Sequence, residues 1–109
     1  MNYLEQSEGV NTRNLPNGSI LTVETTYSVY TLVKINDQDY VAEGGKYIRN
    51  PVKVKIRKQW INMNERVEID MPFRKRIHTS PVRNIRVATG TSEYDMGSRD
   101  QEGTLGNMV

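Results

Sequence analysis

Two stretches of strict alternation constrain this chain more than any other feature. In Val52-Lys53-Val54-Lys55-Ile56-Arg57 every second residue is apolar and every residue between is a cation. Arg66 to Phe73 repeats the pattern, with Val67, Ile69, Met71 and Phe73 on one parity and Arg66, Glu68, Asp70 and Pro72 on the other. A period of two sends successive side chains to opposite faces of a strand, so each run has one face for a core and one for water. No interval carries the i, i+3, i+4, i+7 apolar spacing of an amphipathic helix, although Asn2 to Gln6 is long enough for one turn. The chain is therefore expected to be all-β.

The two runs are predicted to pair as an antiparallel hairpin. If paired numbers sum to 123, Val54 meets Ile69, Ile56 meets Val67 and Val52 meets Met71 on the buried face. The same register sets Lys55 against Glu68 and Lys53 against Asp70, cross-strand pairs worth roughly 0.2 to 1 kcal/mol each. It leaves Arg57 facing Arg66.

Four further strands follow from composition and turn chemistry. Ser19 to Thr25 is rich in β-branched residues that suit a pleated surface. Val29 to Ile35 is apolar on both parities, the pattern of a strand covered on both sides, and Thr26-Tyr27-Ser28 is the reversal before it. Asn36-Asp37-Gln38-Asp39 is turn chemistry, followed by a short strand at Tyr40 to Ala42 and by Gly44-Gly45, which can take positive φ. A last strand at Val82 to Val87 follows Pro81, with Ile85 and Val87 inward. Six short strands with turns between them predict a small antiparallel β-barrel, or a curled sandwich, since a flat sheet of this size leaves two edges unpaired.

With 109 residues the chain is limited to one domain. The division expected is an irregular N-terminal arm over 1–18, the barrel over 19–88 and an acidic, glycine-rich tail over 89–109. Charge divides along similar lines. Residues 1 to 45 carry two cations against six acids, 46 to 88 carry twelve against three, and 89 to 109 carry one against four. The total of +2 thus conceals segments of −4, +9 and −3, and the tail is expected to dock on the basic middle of its own chain or of a neighbour. No apolar run approaches the roughly 18 residues of a membrane-spanning helix, and the first residues lack the basic-then-apolar order of a secretory signal. The expected location is cytoplasmic, or a virion if the chain is phage-encoded, with no membrane partner.

Ser28-Val29-Tyr30, Glu43-Gly44-Gly45 and Thr79-Ser80-Pro81-Val82, in this order and at this spacing, resemble a loose family of short, uncharacterised bacterial and phage β proteins. The resemblance covers roughly residues 19 to 87. It implies a compact β fold and transfers no activity and no catalytic residue.

Little chemistry beyond binding is legible. Cysteine is absent, and His78 is the one histidine, which leaves no thiolate nucleophile and no obvious zinc set. His78 is better explained as a partly exposed imidazole at a strand end, and Ser80 before Pro81 as a turn residue. Asp37 and Asp39 are two apart, but the glycine and glutamate that complete a calcium loop are missing, so they too belong to a turn. Gly44-Gly45-Lys46 lacks the spacing of a phosphate loop. Glu24, Glu43, Glu65 and Glu68 form no recognisable acid pair. No enzymatic activity, cofactor or metal is expected.

The basic middle remains. Lys53 and Lys55 are discounted because the expected register neutralises them. Arg57, Lys58 and Arg66 near Trp60, the run Arg74-Lys75-Arg76, and Arg83 with Arg86 on the last strand are the candidate partner-binding residues. Tyr30, Tyr40, Tyr47, Trp60 and Phe73 are candidate stacking faces. The expected role is structural or assembly-related, with protein partners or self-assembly through these cations and the terminal arms; the alternative is binding of RNA or DNA along the basic and aromatic surface of residues 46 to 88.

Overall fold

The structure, a computed structural model, describes residues 2–6 and 8–89; the expected docking of the acidic tail concerns residues outside this range. The chain is all-β, with no α-helix among the described residues. The described residues form ten strands in order: β1 (Asn2–Gln6), β2 (Gly9–Asn11), β3 (Ile20–Thr25), β4 (Val29–Lys34), β5 (Asp39–Gly44), β6 (Ile48–Lys55), β7 (Trp60–Asn62), β8 (Glu68–Met71), β9 (Lys75–His78) and β10 (Val82–Thr89). A single turn of 3-10 helix follows β2 at Thr12–Asn14, and a tight turn with Phe73 and Arg74 at positive φ joins β8 to β9.

Eight strands make one antiparallel sheet in the order β1-β10-β3-β4-β5-β6-β8-β9, and β2 with β7 makes a two-stranded ribbon. The large sheet curls into a half-barrel. Strands β3 to β6 form a meander of neighbours in sequence, whereas β10 is inserted between β1 and β3. The concave face carries the core: Leu21 and Val23 from β3, Tyr30 and Leu32 from β4, Tyr40 and Ala42 from β5, Val54 from β6, Ile69 from β8, and Val82, Ile85 and Val87 from β10. Along β3 burial alternates residue by residue, as the period-two pattern requires.

The register between β6 and β8 differs from the expected one. Lys55 stands opposite Asp70, so paired numbers sum to 125 and the strands are offset by two residues. A two-residue slip keeps each side chain on its face, which is why Val54, Ile56 and Ile69 are buried as expected, but it changes every charge pair. The cause lies in the connection. Residues 56 to 67 do not close a tight hairpin; they leave the sheet so that β7 can pair with β2, with Asn11 opposite Trp60. Without a short turn to fix it, the register follows the side chains.

Other expectations need correction. The described residues of 1–18 are not an arm outside the core: β1 pairs with β10 along its length, and Val10 and Thr12 are buried. Strand β4 is covered on one side, not two; Val29 and Ile35 are exposed, and the buried position after Leu32 belongs to Lys34. Its charge explains the N-terminal segment. The Lys34 ammonium donates to the Thr12 and Leu15 carbonyls at 2.7 Å each, and Asp37 lies 3.6 Å away. A buried ammonium needs such acceptors. Thr12 in turn donates from its backbone N–H and its hydroxyl to the Gln59 carbonyl, each at 2.8 Å, which ties this segment to the start of β7. Phe73, expected inward, is 95% exposed at the tip of the β8–β9 hairpin.

The three segments of the resemblance meet at one end of the sheet. Gly44, at φ 144°, lies so close to β4 that a Cβ there would stand 2.2 Å from the Val29 carbonyl oxygen. The Ser80 hydroxyl donates to Thr25 Oγ1 at 2.8 Å and accepts from the Tyr27 N–H at 3.2 Å, pinning the strand-to-strand turn at residues 26 to 28. Ser80 is thereby given a structural role.

Candidate anion-binding groove

Strands β6 and β8 meet through the single register pair Lys55 and Asp70 and diverge from it. An open groove of about 660 Å³ lies along this divergence, walled by the end of β6 and by the β8–β9 hairpin. Six cations line it (Lys53, Lys55, Arg57, Arg74, Lys75 and Arg76) against two carboxylates, Asp39 and Asp70, a net of +4. The outward parity of β6 supplies Lys53 and Lys55, spaced by about 6.8 Å as alternate residues of a strand are. The hairpin supplies Arg74, Lys75 and Arg76.

The carboxylates organise part of this charge. Asp70 accepts from Arg57 Nε through one oxygen and from Arg76 Nε through the other, both at 2.6 Å. The Arg76 guanidinium, and then that of Arg57, holds the Asp70 carboxyl below the usual carboxylate range. Asp39 accepts from the Lys55 ammonium at 2.9 Å, and this bond is the first cause of its lowered pKa, with Asn36 the second. Each arginine uses Nε here, and a guanidinium carries further N–H donors in the same plane. Two arginines are thus held in place while keeping donors for a ligand. Lys53, Arg74 and Lys75 make no ion pair among the described residues.

The two-residue slip therefore rearranges the candidate set. Arg57 was expected to be uncompensated and Lys53 neutralised by Asp70; the structure pairs Arg57 with Asp70 and leaves Lys53 without an ion pair among the described residues. Of the nine candidate residues, Arg57, Arg74, Lys75 and Arg76 line the groove, joined by the discounted Lys53 and Lys55. The other five lie elsewhere. Lys58 and Arg66 are exposed in the connections on either side of β7. Trp60, half exposed on β7, lines a different, mainly apolar cleft with Val10, Leu15 and Val87. Arg83 donates to Thr26 Oγ1 and Asn64 Oδ1, both at 3.1 Å, and so braces two turns. Arg86 is half buried on β10, in register with Thr22 on one side and Glu5 on the other.

Among the stacking candidates, Tyr30 and Tyr40 are core residues, and burial pushes the Tyr40 phenol pKa up. Tyr47 is exposed with the Lys46 ammonium 5.0 Å from its ring centroid. Phe73 sits between two groove-lining residues, Pro72 and Arg74. His78 is cross-strand from Glu68, with Nε2 3.6 Å from the carboxylate. Among the described residues no group of three or more histidines, aspartates or glutamates is placed to hold a metal ion, and no helix is long and apolar enough to cross a membrane. In comparisons with known proteins, no family model matches the chain, and neither a curated protein nor a solved structure is similar to it.

Proposed function

We propose that the chain is a non-enzymatic binding protein that holds a polyanion in the groove between β6 and the β8–β9 hairpin. The carrying observation is the convergence of six cations on one groove with only two acids among them. Concentrated positive charge in a concave site attracts phosphate chains and releases their counterions, which is where most of the affinity of such sites arises. Three of the cations, Lys53, Arg74 and Lys75, make no ion pair with another described residue, so binding breaks none of the described pairs there.

The test is titration of a fluorescent single-stranded 12-mer by anisotropy over a salt series. Affinity should fall steeply with salt, the mark of phosphate contacts. The triple variant Lys53→Ala, Arg74→Ala, Lys75→Ala should abolish binding, and Trp60→Phe should leave it within twofold. Absence of binding at low salt, or an unchanged affinity in the triple variant, refutes the reading. A second reading, an assembly subunit, is favoured by the outer edge of β9, which has no strand beside it among the described residues. Light scattering on the isolated protein decides it: a discrete mass above the monomer supports assembly.

A further inference from the structure

The hairpin tip beside the groove is built from residues that its turn disfavours: the Lys75 N–H donates to the Pro72 carbonyl, and the two residues between take positive φ as the twist of a hairpin requires, positions that asparagine and glycine suit best. Phe73 and Arg74 are consecutive non-glycine residues at φ 64° and 62°. The left-handed region is unfavourable for residues with a Cβ, and bulky side chains are uncommon there. Glycine would occupy either position without strain. The ring so presented is 95% exposed and returns almost no burial to the core. A lone exposed apolar residue is ordinary; a phenylalanine at a turn position that glycine would fill without strain, beside a groove lined by six cations, is not. Strain of this kind accumulates where a side chain must be presented to a ligand.

Building on the groove reading above, we infer that its ligand is a single-stranded nucleic acid and that Phe73 is the platform on which one of its bases stacks. The ring stands next in sequence to Arg74 and Lys75, so a phosphate held by those two cations brings its own base within reach of the aromatic face. Strands of this chemistry are bound by such a pairing of basic groove and aromatic ring, and every unpaired base offers a π-face. A duplex hides those faces in its stack, and an acidic peptide satisfies the cations without needing the ring. Arg57 and Arg76, fixed on Asp70, supply the pre-set donors further along the backbone.

The experiment compares two labelled 12-mers in anisotropy titrations: oligo-dT, and an abasic strand with the same sugar-phosphate backbone and charge. The wild-type protein should bind oligo-dT more tightly than the abasic strand. Phe73→Gly should weaken oligo-dT by about tenfold, within a range of roughly 5- to 150-fold that corresponds to about 1–3 kcal/mol per stacked base. It should leave the abasic strand within twofold, and Phe73→Trp should restore oligo-dT binding. Phe73→Gly should melt no lower than wild type, because glycine relieves the positive φ, so a loss of binding cannot be attributed to unfolding. Equal wild-type affinity for the two strands, or equal losses in Phe73→Gly, overturns the stacking inference and leaves the polyanion reading standing. Failure of both strands to bind the wild type at low salt overturns both.

Discussion

Replacing Gly44 by alanine tests the close approach of β4 and β5 at the end of the sheet. A Cβ at residue 44 would lie 2.2 Å from the Val29 carbonyl oxygen and 2.7 Å from Tyr30 Cα, both backbone atoms. Ordinary contacts begin near 3.4 Å. The two strands must therefore separate by about 1 Å where Tyr30 pairs with Gly44, and the irregular register next to Ile48 has to absorb the movement. Overpacking of this sort costs about 1–3 kcal/mol. The positive φ of 144° adds about 1–2 kcal/mol for a residue with a Cβ. The expected loss is about 2–5 kcal/mol, a large share of the roughly 5–15 kcal/mol available to a domain. At about 4–8 °C per kcal/mol for a domain of this size, the melting temperature should fall by at least about 8 °C. Gly18→Ala is the internal control, since φ is 91° there but nothing lies within 4 Å of the added atom. It should lose only the conformational part. Circular dichroism melts and urea titrations on both variants check the argument. A Gly44→Ala protein within 1 kcal/mol of wild type, or a Gly18→Ala protein equally damaged, refutes the claim that contact and not conformation fixes glycine at residue 44.

Lys34→Met should destabilise by about 2–4 kcal/mol, because the Thr12 and Leu15 carbonyls lose a charged donor while staying covered; a urea midpoint that implies less than 1 kcal/mol would show that water replaces the ammonium. Asp39 and Asp70 both have folded-state pKa values below the ordinary carboxylate value, lowered by Lys55 and by Arg76 with Arg57. Their stabilisation is accordingly present above about pH 4 and is lost as pH falls through the depressed values. Melting temperature should decline on acidification below about pH 4, and the double variant Asp39→Asn, Asp70→Asn should show a shallower decline over the same range; an unchanged pH profile would contradict the assignment.

The fold class was legible because period-two alternation is local. Val52 to Arg57 and Val67 to Met71 announce their faces without reference to anything else, and burial follows parity at Val54, Ile56 and Ile69. What escaped was set by partners distant in the sequence. Strand β9 contains one apolar residue, Ile77, and is a strand only because β8 lies beside it. Strand β7 is three residues long and exists through its pairing with β2. The charge pairs were misassigned for a related reason: alternation fixes register only to within two residues, and a two-residue slip exchanges every partner while preserving every face. Four of the six groove cations were therefore visible, Arg57 and the basic run at residues 74 to 76. The other two, Lys53 and Lys55, were discounted on a pairing that does not occur. Lys34 gave a misleading signal in the opposite sense, since a lysine at the end of an apolar strand suggests solvent, and only the carbonyls of a distant segment make its burial tolerable.

The position of β10 between β1 and β3 bears on how the molecule reaches this state. The meander from β3 to β6 can zip up through neighbouring strands, each closure spanning only a short turn. Pairing β10 with β3 instead joins Val23 to Ile85, 62 positions later in the chain. That closure carries the larger loop entropy and is rewarded only when most of the core is already assembled. Until it happens, β3 is an open edge of β-branched residues, competent to pair with the same edge of another molecule. Refolding yield should thus fall with protein concentration more steeply than the stability of the finished sheet would suggest, and the sensitive interval is the one before Val82 to Thr89 takes its place.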